Sequence, residues 1–343
     1  MKMRTSQFAR HFSNRRRAGF TIVELLVVIA IIAVLVAITV PAVGMARNRM
    51  RMAQNQNNLR QISQAIQNYT ANKQNLPPGV RFYNPTQKTI DFTSSWAFEL
   101  LPYLDSQNLY DQLNVMLPAN QQGANGAMST PVEVFSNPLF SRVAGYVQGP
   151  FASGGVGTCI DYAANGGVVY SGNPKTDPLN LNIDPRNGPV FEVNSKLAGP
   201  FTWSNSAGLR ERRYTTNDLR DGQSTTIAVG DRWTPDAILS PNAMPATKQL
   251  FDGAAFAGEN ITSHTRYANF VSKSSPQAVL PLSRNDVSTP ANYKFGVGAG
   301  SIMYFAFMDG SARPLNTDIE PIVFKSLLTI NGGETIPAGL VDP

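Results

Sequence analysis

Three Asp-Gly pairs, Asp221-Gly222, Asp252-Gly253 and Asp309-Gly310, are the first residues here whose chemistry suggests a ligand, because carboxylates on tight turns are common oxygen donors to Ca2+. Asp-Gly is also a favoured turn pair in its own right, and no Asp-x-Asp-x-Asp-Gly loop occurs, so turn chemistry is the better reading. One cysteine, Cys159, excludes an internal disulfide. With only His11 and His264 beside it, no zinc site of four Cys/His ligands can be built. A Cys159–His264 nucleophilic pair would rest on two isolated residues. Glu99 and Glu192 could supply the two carboxylates of glycoside hydrolysis, yet nothing in the pattern selects them, and Glu99 reads as the polar face of a short helix. Gly296-x-Gly298-x-Gly300 precedes a strand where a phosphate loop would precede a helix. Trp96, Trp203 and Trp233 could stack a sugar, although tryptophans in a domain of this size usually serve the core. The chain therefore reads as having no catalytic residues, no cofactor and no metal site.

The most unusual ionisable residue is Glu24. Behind Arg15-Arg16-Arg17-Ala18-Gly19 come Phe20-Thr21-Ile22-Val23-Glu24 and then Leu25 through Ile38 without a polar side chain; Thr39 and Pro41 are mild interruptions before Arg47. The 27 residues from Phe20 to Ala46 make a helix of about 40 Å, longer than a hydrocarbon core of roughly 30 Å. A carboxylate in such a helix costs roughly 2.5–3.5 kcal/mol near the bilayer centre and less near its end, so it is more often functional than incidental. A secretory signal usually has a shorter apolar core closed by a small-x-small site, and none follows Leu25 cleanly; a plain signal anchor would leave Glu24 unexplained. The cationic end should stay cytoplasmic by the positive-inside bias, which sends the large C-terminal part to the other side.

Charge and composition narrow the partners. Residues 1–19 hold Lys2, Arg4, Arg10, Arg15, Arg16, Arg17 and no acid, which accounts for the whole formal charge of +6. The remaining basic cluster, Arg210, Arg212 and Arg213, is interrupted by Glu211 and makes no phosphate-tracking stripe, so nucleic acid is not an expected partner. Only 15% of residues are charged, against roughly 25% in an ordinary soluble protein, while Gly 27 and Pro 24 imply many turns. With 42% hydrophobic residues there is ample material for a core.

The basic stretch, Gly19-Phe20-Thr21-x-x-Glu24 and the unbroken apolar helix resemble the signature of type IV pilins and type II secretion pseudopilins. The resemblance implies cleavage by a prepilin peptidase between Gly19 and Phe20 on the cytoplasmic face, and N-methylation of the new Phe20 amine. It also implies pairing of Glu24 with the N-terminal amine of a neighbouring pilin-like subunit, physically reasonable because two charges in a dry bundle are tolerable when paired. Pro41 falls at the depth where family members carry a helix-loosening proline, and proline removes one rung of the ladder.

Past Arg47 the sequence turns polar but keeps helical spacing. Met45, Met52, Leu59 and Ile66 lie seven apart, Ile62 and Tyr69 fill the same face, and Asn and Gln crowd the other side. This predicts one helix from about 21 to about 69, its first half in lipid and its second on a globular domain. After Leu76-Pro77-Pro78-Gly79 the period is lost and short β-like runs alternate with turns such as Asn165-Gly166-Gly167, Asn187-Gly188 and Asn331-Gly332-Gly333. Expected strands include 168–170, 226–229 and 302–307, while 96–104 and 109–113 look helical.

A second resemblance rests on Asn68-Tyr69, Leu76-Pro77-Pro78-Gly79, Ser95 to Leu104, Asp161-Tyr162-Ala163-Ala164-Asn165-Gly166, Asp221-Gly222-Gln223-Ser224-Thr225-Thr226-Ile227 and Phe305 to Arg313. These blocks resemble the family called DUF1559, abundant in planctomycete-type bacteria. Departures include Ala299 at the family's histidine position, Asp231 where a glutamate is common and Ser136 where a cysteine is common. Residue types and resemblances together predict an α+β protein: a leader at 1–19, an N-terminal helix at 20–72 with its transmembrane part at about 20–46, and a large antiparallel β-rich outer domain at 73–343. The expected role is a pilin- or pseudopilin-like structural subunit, single-pass in the inner membrane with a cytoplasmic leader and a periplasmic or extracellular domain, present in cell-surface filaments if it polymerises. The alternative is an anchored module that binds polysaccharide or another envelope ligand.

Overall fold

The computed structural model describes residues 21–83, 92–114, 126–140, 148–150, 156–170, 199–201, 204–206, 210–212, 214–234, 255–256, 265–270, 295–296 and 301–333. The chain divides into two compact units, Met1–Met50 and Arg51–Pro343.

The first unit contains the N-terminal half of helix α1, which spans Ile22–Lys73 and is helical on both sides of Pro41 without interruption. From Ile22 to Met50 every residue is exposed, including Leu25, Ile29, Ile32, Val36 and Val40. A helix that is apolar all round and unburied is a helix made for an apolar surrounding. It is long and apolar enough to cross a membrane.

The second unit begins with the remainder of α1. Leu59, Ile62, Ile66 and Tyr69 are each 0–1% exposed, which is the helical stripe expected from their spacing. Asn55, Asn58 and Ser63 are buried with them, contrary to the expectation that the asparagines face away. A stripe that includes amides must find polar partners inside the domain, and it does so as described below.

Strands β1 (Val80–Tyr83) and β2 (Phe92–Ser95) form an antiparallel pair that leads into the short helix α2 (Trp96–Leu100). The Ser95 hydroxyl caps that helix by accepting from the Phe98 amide. A 3-10 turn at Leu101–Tyr103 and helix α3 (Gln107–Gln112) follow, so the two segments that look helical in sequence are helical. Two small antiparallel pairs lie further on, β3 (Gln148–Pro150) with β4 (Val156–Thr158) and β6 (Ser204–Ser206) with β7 (Arg210–Arg212).

The central sheet has five strands: β5 (Tyr162–Tyr170), β8 (Ile227–Asp231), β9 (Thr265–Phe270), β10 (Ile302–Phe307) and β11 (Ala312–Asn316), in the order β11-β10-β8-β5-β9. Three of its four pairings are antiparallel, but β5 and β9 run parallel, so the sheet is mixed where the turn pattern predicts an antiparallel one. The three runs expected as strands fall in β5, β8 and β10.

The continuous apolar run of β10 has a simple cause, for it is covered on both faces. Tyr304 and Ala306 join the cluster built around Leu59, Ile62, Ile66 and Trp96, whereas Met303, Phe305 and Phe307 join a second cluster. That second cluster contains Val323, Phe324, Leu327 and Leu328 of helix α4 (Pro321–Leu328). The sheet is thus the middle of three layers, the C-terminal half of α1 on one face and α4 on the other. Gly230 is required at the crossing of β8 and β10, since a Cβ there would come within 2.2 Å of the Phe305 ring.

Candidate functional site

At the start of α1, Thr21 and Glu24 form a reciprocal cap. The Thr21 amide and the Thr21 hydroxyl each donate to Glu24 Oε2 at 2.9 Å, and the Glu24 amide donates to Thr21 Oγ1 at 3.2 Å. This is the Thr-x-x-Glu capping box, which satisfies two amides that a helix start otherwise leaves without partners. The Thr21-x-x-Glu24 spacing is present in the sequence, where the charge of Glu24 in an apolar run is the more conspicuous signal. Both side-chain contacts use one oxygen, and Oε1 makes no hydrogen bond among the described residues. The carboxylate therefore caps its own helix through one oxygen and leaves the second unengaged by any described residue. Gly19 and Phe20 lie outside the described residues.

Pro41 lies in the helix interior, where its missing N–H leaves the carbonyl four residues back, on Ala37, without its usual donor. Nearby, the Thr39 hydroxyl donates to the Val36 carbonyl at 3.4 Å.

The polar residues of the second unit converge on a different place, the joint between α1 and the sheet. Asp231, at the end of β8, is 1% exposed. Its Oδ1 accepts from Asn55 Nδ2 at 3.1 Å and from Asn137 Nδ2 at 2.9 Å, and its Oδ2 accepts from the Tyr304 amide at 2.8 Å. The Tyr162 hydroxyl donates to Asn55 Oδ1 at 2.6 Å, so both ends of the Asn55 amide are held. Asn58 Nδ2 donates to the Ser136 carbonyl at 2.9 Å, and the Asn137 amide donates to Asp161 Oδ2, also at 2.9 Å. Burial pushes the Asp231 carboxyl up to about 7, against the Tyr304 amide and the Asn55 side chain, which favour the charged form; nearby Asp161 adds to the rise. Burial, and then the charge of Asp231, raise the Tyr162 hydroxyl well above the ordinary tyrosine range. A carboxylate this enclosed and this fully hydrogen-bonded is a joint; it has no open side for a substrate.

Asn165 has a similar role on the adjacent strand. Its Nδ2 donates to the Ile227 carbonyl at 2.8 Å and to the Leu328 carbonyl at 2.9 Å, while its Oδ1 accepts from the Gly167 amide, tying β5, β8 and the end of α4 together. The β5–β9 register shifts at this point.

The Asp-Gly pairs are also engaged internally. Asp221 accepts from the Gly332 amide at 2.6 Å and the Gly333 amide at 3.0 Å, and Gly222 adopts φ +99°, which suits glycine. Asp309 accepts from the Ser311 amide and hydroxyl and from Arg313 at 3.0 Å; Gly310, at φ +90°, completes the β10–β11 hairpin turn. Among the described residues no three of His, Cys, Asp and Glu gather where a cation could be held. Asp252, Gly253, Glu192, Trp203, His264 and Ala299 lie outside the described residues.

The remaining sequence candidates are core groups. Trp96 is fully buried and meets Phe135 and Phe201 edge to face, and Trp233 and Cys159 are buried. Glu99 does not face solvent as expected: it is buried, and its Oε1 accepts from the Ser94 hydroxyl at 3.3 Å. A cleft of ≈ 330 Å³ opens beside the C-terminal end of α1, lined by the uncharged side chains of Gln67, Thr70, Gln74, Thr216, Gln223 and Met308 among others.

Comparison with known families adds two findings. A family model described as a protein of unknown function (DUF1559) matches residues 44–321, and one described as a prokaryotic N-terminal methylation motif matches residues 14–40. No curated protein and no solved structure matches the chain.

Proposed function

The chain belongs to the DUF1559 family, and from that premise together with its N-terminal methylation motif we propose that it is a structural subunit of a pilus or type II secretion pseudopilus, without enzymatic activity. Prepilin peptidase cuts between Gly19 and Phe20 at the cytoplasmic face, the Phe20 amine is methylated, and α1 anchors the subunit in the inner membrane as a single span. The outer domain then lies on the periplasmic or extracellular side, by the charge bias of residues 1–19.

The observation that carries this reading is the geometry of Glu24. It is the only charged residue between Arg17 and Arg47, and its cap on Thr21 occupies one carboxylate oxygen. The other oxygen can accept the amine of a neighbouring subunit without giving up the cap, so two interactions at once offset the cost of the buried charge. Glu24→Gln separates the two roles, because the amide carbonyl can still accept from Thr21 but carries no charge. Both Glu24→Gln and Glu24→Ala should be processed at Gly19 and should fail to enter filaments; normal incorporation of Glu24→Gln would overturn the amine pairing.

A second reading, an anchored module for a neutral polysaccharide or other envelope ligand, is favoured by the uncharged amide- and hydroxyl-lined cleft beside Gln67 and Gln223. Retention of the detergent-solubilised chain on immobilised glycans, lost on Gln223→Leu, would support it; no retention across a broad glycan panel would remove it.

A further inference from the structure

We propose that Arg47, Arg49 and Arg51 form a collar on α1 that binds the phosphate groups of anionic phospholipids in the leaflet facing the outer domain. The inference rests on the membrane-spanning reading of α1. It starts from a charge asymmetry: between Leu25 and Ile90 there is no Asp or Glu, whereas Arg47, Arg49, Arg51, Arg60, Lys73, Arg81 and Lys88 are all cationic. Arg47 is the first charge after Glu24, 23 residues on, which is about 35 Å along a helix. With Glu24 near one face of a hydrocarbon core roughly 30 Å thick, the three guanidinium groups reach the headgroup layer of the other.

The collar is exposed and meets no counter-charge among the described residues. All three arginines lie on the exposed part of α1, and none makes an ion pair with a described residue. Met45, just before them, and Met50, between Arg49 and Arg51, are 62% and 71% exposed. Alternation of apolar and cationic side chains suits the boundary where acyl chains meet phosphates, since arginine can lay its stem along the apolar layer and place its head in the polar one.

Helical phase separates lipid from other anionic partners. At about 100° per residue, Arg47 and Arg51 share one side of α1 while Arg49 lies on the opposite side. A protein or nucleic-acid partner approaches from one side and would be met by cations on one face. Lipid headgroups surround the helix, and a collar meets them all round. Arginine in place of lysine fits the same ligand, because the planar guanidinium matches phosphate oxygens two at a time. Removal of residues 1–19 would leave these as the only basic residues flanking the span.

The test uses the full chain and the variant R47Q/R49Q/R51Q, reconstituted into bilayers of phosphatidylcholine alone and of equimolar phosphatidylcholine and phosphatidylglycerol. Insertion is scored first, by resistance to alkaline extraction from the neutral bilayer. Lipids retained by the protein are then identified by native mass spectrometry. Wild type should retain phosphatidylglycerol more strongly than the variant, by about fivefold for each guanidinium engaged, over the share that the basic residues 1–19 give to both proteins. Equal retention by inserted wild type and variant would overturn the collar. Failure of both proteins to insert into neutral bilayers would instead overturn the spanning reading and the collar with it. Loss of the preference on adding inorganic phosphate, but not on adding chloride of equal ionic strength, would overturn the lipid assignment in favour of a free-anion site.

Discussion

Asn55 Nδ2 lies 3.1 Å from Asp231 Oδ1, a hydrogen bond between the middle of α1 and the end of a central strand 176 residues later. The bond fixes the depth at which the helix seats on the sheet, because the other end of the same amide accepts from Tyr162 on the neighbouring strand. An alanine at position 55 leaves the Tyr162 hydroxyl with only the Ser136 carbonyl, at 3.5 Å, to accept from it, and takes one donor from Asp231, both in a dry interior. Asn55→Ala should lower stability by about 1–3 kcal/mol. The urea midpoint of the detergent-solubilised chain, followed by fluorescence of buried Trp96 and Trp233, measures it; an unchanged midpoint would mean that apolar packing alone seats the helix.

Stability should fall as pH rises toward neutrality. The folded-state carboxyl of Asp231 titrates at about 7 and an ordinary aspartate at 3.8, so between these values the folded chain holds more protons than the unfolded one. The contribution of this group is therefore fully present below about 3.8 and lost as pH rises through about 7, with a slope of at most about 1.4 kcal/mol per pH unit. Wild type should resist urea better at pH ~5.5 than at pH ~8. Asp231→Asn should lose that difference, and should also be less stable at the lower pH, because its NH2 group must face one of the Asn55, Asn137 or Tyr304 donors.

Much of this architecture is legible in local sequence pattern, and what is not has a consistent cause. The stripe Leu59, Ile62, Ile66, Tyr69 and the apolar run of β10 are local periodicities, so their burial is written in adjacent residues. Asn55, Asn58 and Glu99 look like surface residues by type; they are buried because partners distant in sequence, or in Glu99's case a serine on the preceding strand, bond to them. The parallel pairing of β5 with β9 joins strands about 100 residues apart, and no local pattern encodes it. Glu24 stands out in the sequence by its charge, and the structure adds its cap on Thr21.

Gly310 should be intolerant of a side chain because of its backbone, not its neighbour. Its φ of +90° is costly for any L-residue, while the atoms a Cβ would meet at 3.1 Å belong to the far end of the exposed Gln67 side chain, which can move. Gly310→Ala is expected to cost about 1–2 kcal/mol, and adding Gln67→Ala should recover little of it. Recovery of most of the loss in the double variant, read from urea midpoints, would place the cost in the contact.

Asp221 should act as a clasp on the Gly332-Gly333 turn and not as a cation ligand. Asp221→Ala removes the acceptor of both amides, so hydrogen exchange at Gly332 and Gly333 should quicken strongly while exchange in β10 stays unchanged. Chelation with EGTA should leave the thermal midpoint of wild type where it was. A fall in that midpoint, restored by added calcium, would return the Asp-Gly turns to metal binding.

Processing at Gly19 and entry into a filament are tested most directly by N-terminal peptide mass spectrometry on native protein, comparing membranes with filaments sheared from cells. A peptide beginning at N-methylated Phe20 is expected in the sheared filaments. An intact leader in both fractions would contradict the proposed role, reducing α1 to a plain anchor and Glu24 to the cap of its own helix.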